Sequence, residues 1–596
     1  MHQDSGDNKN LLLALLIGMA IMIAWQFFYE MPRQREVAAA KQAEQARLDA
    51  LPKDTHATPL PEAKSETSPP VAAASSQQAF PSRPHALEES PRIAIESGSL
   101  HGSIALKGAR FDDLTLARYH ETQDENSQEV ALLSPSRTQQ AYFAELGWLP
   151  AGSHVTVPDA NTVWSSTDSK LTPGNPVILY WDNPDGVRFE LEVSVDEHYL
   201  FTVHQRIINH SKATVSLAPY GLINRSYIEP EHTYYILHEG PLGIKDDALN
   251  EVEYKDLREN GSQTVENTHG WLGIADKYWL TAIIPEKGTF KLTYQHYPQN
   301  EQDRYQADML GTAVKLTPGG DATYTTRLFA GAKEVWLLDK YSEEYGIPLF
   351  DRAVDFGLLY FLTKPIFLML DYFNSLLGNF GLAILLLTVI IKTLLFPLAN
   401  KSYSSMAHMK MIMPKMQEIR EKYADDPVTM NKEVIALYKR EGVNPAAGCL
   451  PMLIQIPVFF SLYKVLFVTI EMRHAPFFGW IHDLSSKDPT EVFTLFGLIP
   501  WNPPSMLDIG ALPVILCITM ILQQRLGPKP ADPTQAMVMK YMPYFFLFVF
   551  AKFPAGLVIY WTWNNILSII QQWVITRNAE KNPPKPSRRK AAGKEA

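Results

Sequence analysis

The sequence predicts a polytopic α-helical membrane protein that carries one large all-β sandwich domain outside the bilayer. Three observations predict it. Strongly apolar segments occur at residues 11–28 and then five more times between 379 and 576. Residues 91–345 instead alternate apolar and polar side chains with the period-two pattern of half-buried strands. Charge divides the same way: 91–345 holds 21 Lys and Arg against 36 Asp and Glu, a net of −15, while the 596-residue chain as a whole stands at −10. An acidic outer domain disfavours DNA or RNA as its partner.

Residues 11–28 (LLLALLIGMAIMIAWQFF) are long enough to cross a bilayer. The flank Tyr29-Glu30-Met31-Pro32 lacks the small residues of a cleavage site, so 1–29 is expected to be an uncleaved transmembrane signal anchor. Cleavage near Ala38–Ala40 is the alternative. Residues 30–90, rich in Ala, Gln, Glu, Ser and Pro, bury too little to offset ordering and form a flexible linker.

The sandwich is expected over 91–345. Phe189, Leu191, Val193 and Val195 alternate with Glu190, Glu192, Ser194 and Asp196, and Phe290, Leu292 and Tyr294 repeat the pattern. Turn signals such as Asn183-Pro184-Asp185-Gly186 punctuate these runs, and a helix from about 333 to 345 closes the domain. Only Cys449 and Cys517 occur, so no disulfide framework supports it, which fits a bacterial periplasm.

Residues 346–378 contain an amphipathic stretch in which Lys364, Pro365, Asp371 and Asn374 interrupt Phe, Leu and Tyr. A helix lying along the outer membrane surface suits it. Five spans follow within 379–576, at about 380–399, 450–470, 509–524, 541–553 and 555–575, which with the anchor makes six. The 401–448 loop carries eight Lys and Arg and the 577–596 tail seven, against two in 472–508. By the positive-inside rule the loop and the tail are cytoplasmic, and parity then places the N-terminus on the same side, although its own flanks (Lys9 against Arg33 and Arg35) argue otherwise.

Lys392 lies inside the first of these five spans, where a charge costs about 2.5–3.5 kcal/mol. None of the spans holds an Asp or Glu well inside it to pair with this lysine. Either the lysine snorkels to the interface, or it faces a wet groove. Thr388 lies one turn away, and Gln455, Gln523, Gln524, Asn564, Asn565, Ser568, Gln571 and Gln572 put amides and hydroxyls on the other spans. Singly, such residues are usually interhelical bonds; together they favour a groove.

In the cytoplasmic loop Met406, Met409, Met413 and Met416 recur at helical spacing, and Asp426-Pro427 provides an N-cap and first-turn proline for a second helix ending near Gly442. The methionines either zip this hairpin together or offer a soft apolar surface to varied clients. The basic tail suits anionic lipid or the phosphates of ribosomal RNA. No GxxxxGK[ST], HExxH or GxSxG motif occurs, so no cofactor, metal or catalytic residue is expected, and the chain is not read as an enzyme. A solute transporter, or a chaperone scaffold acting through the sandwich, are the competing classes.

The motifs TVIIKTLLFPL (388–398), EGVNPAAGCLPMLIQIPVFFSLY (441–463), RHAPFFGWIHDLSSKDP (473–489) and FPAGLVIYWTWNNILSIIQQ (553–572) resemble, in order, those of the YidC/Oxa/Alb membrane insertase family. WLGIADKYWLTAIIP (271–285) resembles the outer domain of its Gram-negative members. The resemblance implies a five-helix insertase core with a hydrophilic groove, open to the cytoplasm and to lipid but closed outside. It implies nascent membrane proteins as clients, with the Sec translocon, the ribosome and membrane lipid as partners, in the bacterial inner membrane. Lys392 stands where the family carries a groove arginine: the charge is kept, the bidentate fork is not. Thr388, Gln455, Tyr560, Trp561 and Asn564 fall at groove or client-contact positions.

Overall fold

The computed structural model of the protein describes residues 82–581, except 227–236, 246, 268–269, 300–301, 443–449, 497, 502–503, 505–506 and 528–532. The expected anchor at 1–29, nearly all of the linker and the tail beyond 581 lie outside the described residues.

Two helices, α1 (Arg83–Leu87) and α2 (Tyr254–Asn260), accompany two facing sheets of eleven and nine strands. Pairing is antiparallel apart from Arg92–Glu96 beside Lys170–Leu171. The predicted alternation sets the register. Phe189, Leu191 and Val193 of strand Val187–Val195 sit opposite Ile207, Gln205 and Val203 of Leu200–Asn209. One side chain of each neighbouring pair therefore points into a core that fully buries Phe111, Phe201, Phe329 and Trp271. Helix α3 (Val335–Tyr345) closes the sandwich by burying Val335, Leu338 and Tyr341.

A 3-10 turn (Phe350–Ala353) leads into α4 (Tyr360–Leu377), whose Phe361, Tyr372 and Leu376 are exposed while Ile366, Phe367 and Leu370 are buried. Then come α5 (Phe380–Leu394), α6 (Phe396–Lys422), α7 (Pro427–Glu441), α8 (Leu450–Val468), α9 (Ala511–Leu526), α10 (Pro533–Phe550) and α11 (Ala555–Lys581). Helix α11 is the hub, packing on α5, α6, α8 and α9, while α10 leans on α9.

Three boundaries differ from expectation. The span expected at 380–399 breaks at Leu395, and α5 and α6 meet at 68°. Pro397 has no N–H to continue the α5 ladder and sits instead in the first turn of a new helix. Helix α10 begins at Pro533 rather than near 541, and α11 continues to Lys581, past the 576 boundary. Hydropathy marks where lipid begins, not where helical hydrogen bonding does. No single helix among the described residues is both long and apolar enough to cross a membrane, although the bent α5–α6 pair passes together.

Candidate functional site: a polar seam along the central helix

Tyr560, Asn564, Ser568 and Gln572 are spaced by four on α11 and so share one face. All four are buried. From this helix polar bonds run to three neighbours. Gln455 of α8 donates its amide to the Tyr560 hydroxyl. Asn565 Nδ2 donates to Thr519 Oγ1 of α9 at 3.2 Å. Lys392 of α5 donates to Ser568 Oγ at 2.8 Å, and that hydroxyl donates back to the Asn564 carbonyl at 2.7 Å.

Among the described residues no carboxylate lies within ion-pair distance of Lys392; its hydrogen-bond partner is a hydroxyl. Thr388, one turn outward, is buried and bonds its own helix through Ile384 O at 2.7 Å. Trp561 is half-buried in an aromatic cluster with Phe459 of α8 (ring centroids 4.5 Å apart) and Phe550 of α10 (4.9 Å). Gln524 Nε2, Thr562 Oγ1 and Gln571 Oε1 are buried without a protein hydrogen-bond partner. Such atoms are costly in a dry apolar interior.

The outer end is roofed by residues 472–488. Its carbonyls receive the first free N–H groups of α11: Ala555 N bonds Ser486 O at 2.7 Å and Gly556 N bonds Leu484 O at 2.9 Å. Asp488 accepts Leu512 N at 2.7 Å, capping α9. The Phe477 ring lies so close to Gly381 of α5 that a Cβ there would come within 2.0 Å of it. Asp483, paired in sequence with His482, serves a turn: its carboxylate accepts Ser485 N and Ser486 Oγ, each at 2.7 Å.

In the α6–α7 hairpin Asp426 caps α7, accepting from Val428 N at 3.2 Å and Thr429 N at 3.1 Å. Met416 is buried under Tyr438, whose hydroxyl lies 3.1 Å from its sulfur, while Met406, Met409 and Met413 are half-buried. Lys415 pairs with Glu441 across the hairpin at 3.0 Å.

The resemblance implied closure on the outer side without naming residues 472–488 for it, and the indole of Trp563, which donates to Leu385 O of α5 at 3.2 Å, was not expected from the sequence. The four-residue spacing on α11 was the signal that could have singled out Ser568 as the lysine's partner.

Two family models match the chain: one described as 60Kd inner membrane protein over residues 372–582, and the YidC periplasmic domain over residues 92–369. The membrane protein insertase YidC of Rickettsia bellii is 49% identical over 570 residues, covering 95% of this chain and 98% of that protein. Its counterpart in Rickettsia africae is 47% identical over 573 residues, covering 95% and 99%. A crystal structure of an active YidC insertase with its first transmembrane domain resolved aligns at a TM-score of 0.34 and 17% identity, over 81% of this chain and 92% of that one.

Proposed function

The chain belongs to the YidC family of inner-membrane insertases with a periplasmic domain, and on that premise we propose how its residues serve the insertion of nascent membrane proteins. The polar or acidic flank of a client enters from the cytoplasm beside Lys392, within the seam formed by Thr388, Gln455, Tyr560, Asn564 and Ser568. The client's apolar segment meanwhile passes into lipid along the aromatic cluster at Trp561. The half-buried Met406, Met409 and Met413 give the hairpin a deformable surface for the first encounter.

The observation that supports this most is Lys392 bonded to a hydroxyl and not to a carboxylate. Its positive charge is left available to an acidic client. Magnitudes agree. About 20 apolar residues at roughly −0.3 to −0.6 kcal/mol each supply several kcal/mol, enough to carry a flank with one or two charges when hydration shortens its apolar path. On this reading residues 472–488 close the seam on the sandwich side, and the client leaves sideways into lipid. In this reading the chain is multi-pass with both termini cytoplasmic, and it works alone or beside the Sec translocon, with basic cytoplasmic segments meeting ribosome and lipid.

The test is insertion into proteoliposomes of two clients that differ only in an acidic or a neutral flank. Lys392→Glu is expected to lower insertion of the acidic client about tenfold and the neutral one by about twofold or less, with Lys392→Arg near wild type. A unit charge at ~8 Å and an effective dielectric of ~20 is worth about 2 kcal/mol, ample for that difference. Equal loss for both clients would sink the charge-relay reading.

A further inference from the structure

The periplasmic sandwich holds more buried positive charge at one place than its carboxylates balance. Arg110, on strand Arg110–His120, and Arg304, on strand Gln302–Gly311, converge on Ser136. Arg110 Nη1 donates to Ser136 Oγ at 3.0 Å, and Arg304 Nη2 donates to the Ser136 carbonyl at 3.0 Å. Arg110 pairs with Glu145. Arg304 is 4% exposed and has no carboxylate within ion-pair distance among the described residues. Its Nη1 donates to Asn224 Oδ1 at 3.3 Å, and its Nε has no partner. Two guanidinium groups thus share one acid in a place where uncompensated charge is costly.

Beside them opens a cavity of about 60 Å³ lined by Arg92, Lys107, Arg110, Asp112, Ser136 and Asn161. At ~10–15 Å³ per water-sized atom this is room for about four to six such atoms, the size of a tetrahedral oxyanion. The carboxylates that line it are already engaged, Asp112 by Arg92 and Glu89 by Arg137. Lys107 is half-buried, and among the described residues no carboxylate lies within ion-pair distance of its ammonium. Hydroxyl, amide and guanidinium donors therefore face one small space, with the charge of Lys107 left over in its lining and that of Arg304 behind it, on the Ser136 carbonyl.

We propose that this pocket binds a small oxyanion, a phosphate or carboxylate group, held by Lys107 with Arg110 and Arg92 as charge-assisted donors. The setting sharpens the inference. Residues 91–345 carry a net of −15, so diffuse anion binding is disfavoured and a saturable site must be built locally. This site is separate from the membrane seam and does not depend on how clients are handled there.

Isothermal titration of the full chain in nanodiscs, with inorganic phosphate and separately with acetate, tests it. One saturable site is expected for at least one of them. Lys107→Ala should weaken it about tenfold, or 1.4 kcal/mol, and Lys107→Glu should abolish it. Because Lys107 is half-buried, both variants should melt like wild type in anion-free buffer, and adding the anion should stabilise wild type most, Lys107→Ala less and Lys107→Glu not at all. Absence of saturable binding by either anion overturns the proposal, as does binding that Lys107→Glu leaves unchanged.

Discussion

Two sets of lysines in this molecule face opposite circumstances. Where the sandwich meets the helices, Lys364 of α4 lies 2.7 Å from Asp339 and 3.0 Å from Asp351, and Lys464 of α8 lies 2.7 Å from Asp355. Burial works to lower the Lys364 pKa, but its bonds to Asp339, Tyr360 and Asp351 outweigh that and hold it above its ordinary value. Lys392, deeper in the helical core, bonds a serine. The first set has its counter-charge built in and acts as a clamp. The second has none built in, and on the proposed reading the client brings it. A paired cation contributes to rigidity, whereas an unpaired one keeps its charge for a passing partner at a standing cost to stability.

The largest expected effect tests the clamp. Asp355 accepts from Lys464 Nζ, from His238 N at 3.1 Å and, through its other oxygen, from Gly357 N at 3.0 Å. Asp355→Ala strands all three donors, a part-buried ammonium among them. Breaking a buried pair costs about 3–5 kcal/mol, and partial exposure here puts the loss near ~3 kcal/mol. Thermal unfolding of the full-length protein and faster proteolysis around 355 would show it. Lys392→Met should do the opposite, leaving stability within about 1 kcal/mol of wild type, because an apolar chain replaces an unpaired charge, while insertion of acidic clients falls. If Lys392→Met destabilises as much as Asp355→Ala, the contrast disappears.

A mirror-image case lies at the same joint. Among the described residues Glu471 has no base within ion-pair distance: one carboxylate oxygen accepts Val335 N at 3.1 Å and the other has no partner there. Burial raises its pKa to about 7, with Glu334 and Asp371 adding to the rise. The folded value stands above the unfolded one, ordinarily near 4.5. The contribution to stability is therefore complete below about pH 4.5 and is lost as pH rises through about 7. Glu471→Gln keeps an acceptor for Val335 without the charge. It should raise stability at pH 8 by about 2–3 kcal/mol and flatten the decline of melting temperature between pH 5.5 and 8. A parallel decline in both proteins would show that Glu471 is not its source.

What the sequence disclosed follows the range of the forces involved. Period-two alternation in 187–195 and 290–294 identified real strands, because side-chain direction along a strand is local. The lone charge at 392 stood out because apolar runs are local too. Ser568 as its partner, 176 positions away, did not, nor did the seating of 472–488 over α5, α9 and α11. Those depend on which helices become neighbours, which no short window encodes. The start of α10 eight residues early is an intermediate failure: Met537 and Val538 continue the helix, while Lys540 lowers the hydropathy that marked the span.

The smallest expected effect falls on a feature local enough to be seen beforehand. Asp426 accepts both Val428 N and Thr429 N, and Pro427 fills the first turn of α7. Asp426→Ala removes the cap and should cost about 1 kcal/mol. Helix α7 buries only Leu437 among its described side chains, so the loss should remain within the hairpin. Hydrogen exchange should quicken at Val428, Thr429 and Met430 while the protected strands of the sandwich stay unchanged. Asp426→Asn, which still accepts through its side-chain oxygen, should recover most of the protection. Faster exchange in the sandwich as well would mean that the hairpin is coupled to the outer domain through α11 and that the two regions do not respond separately.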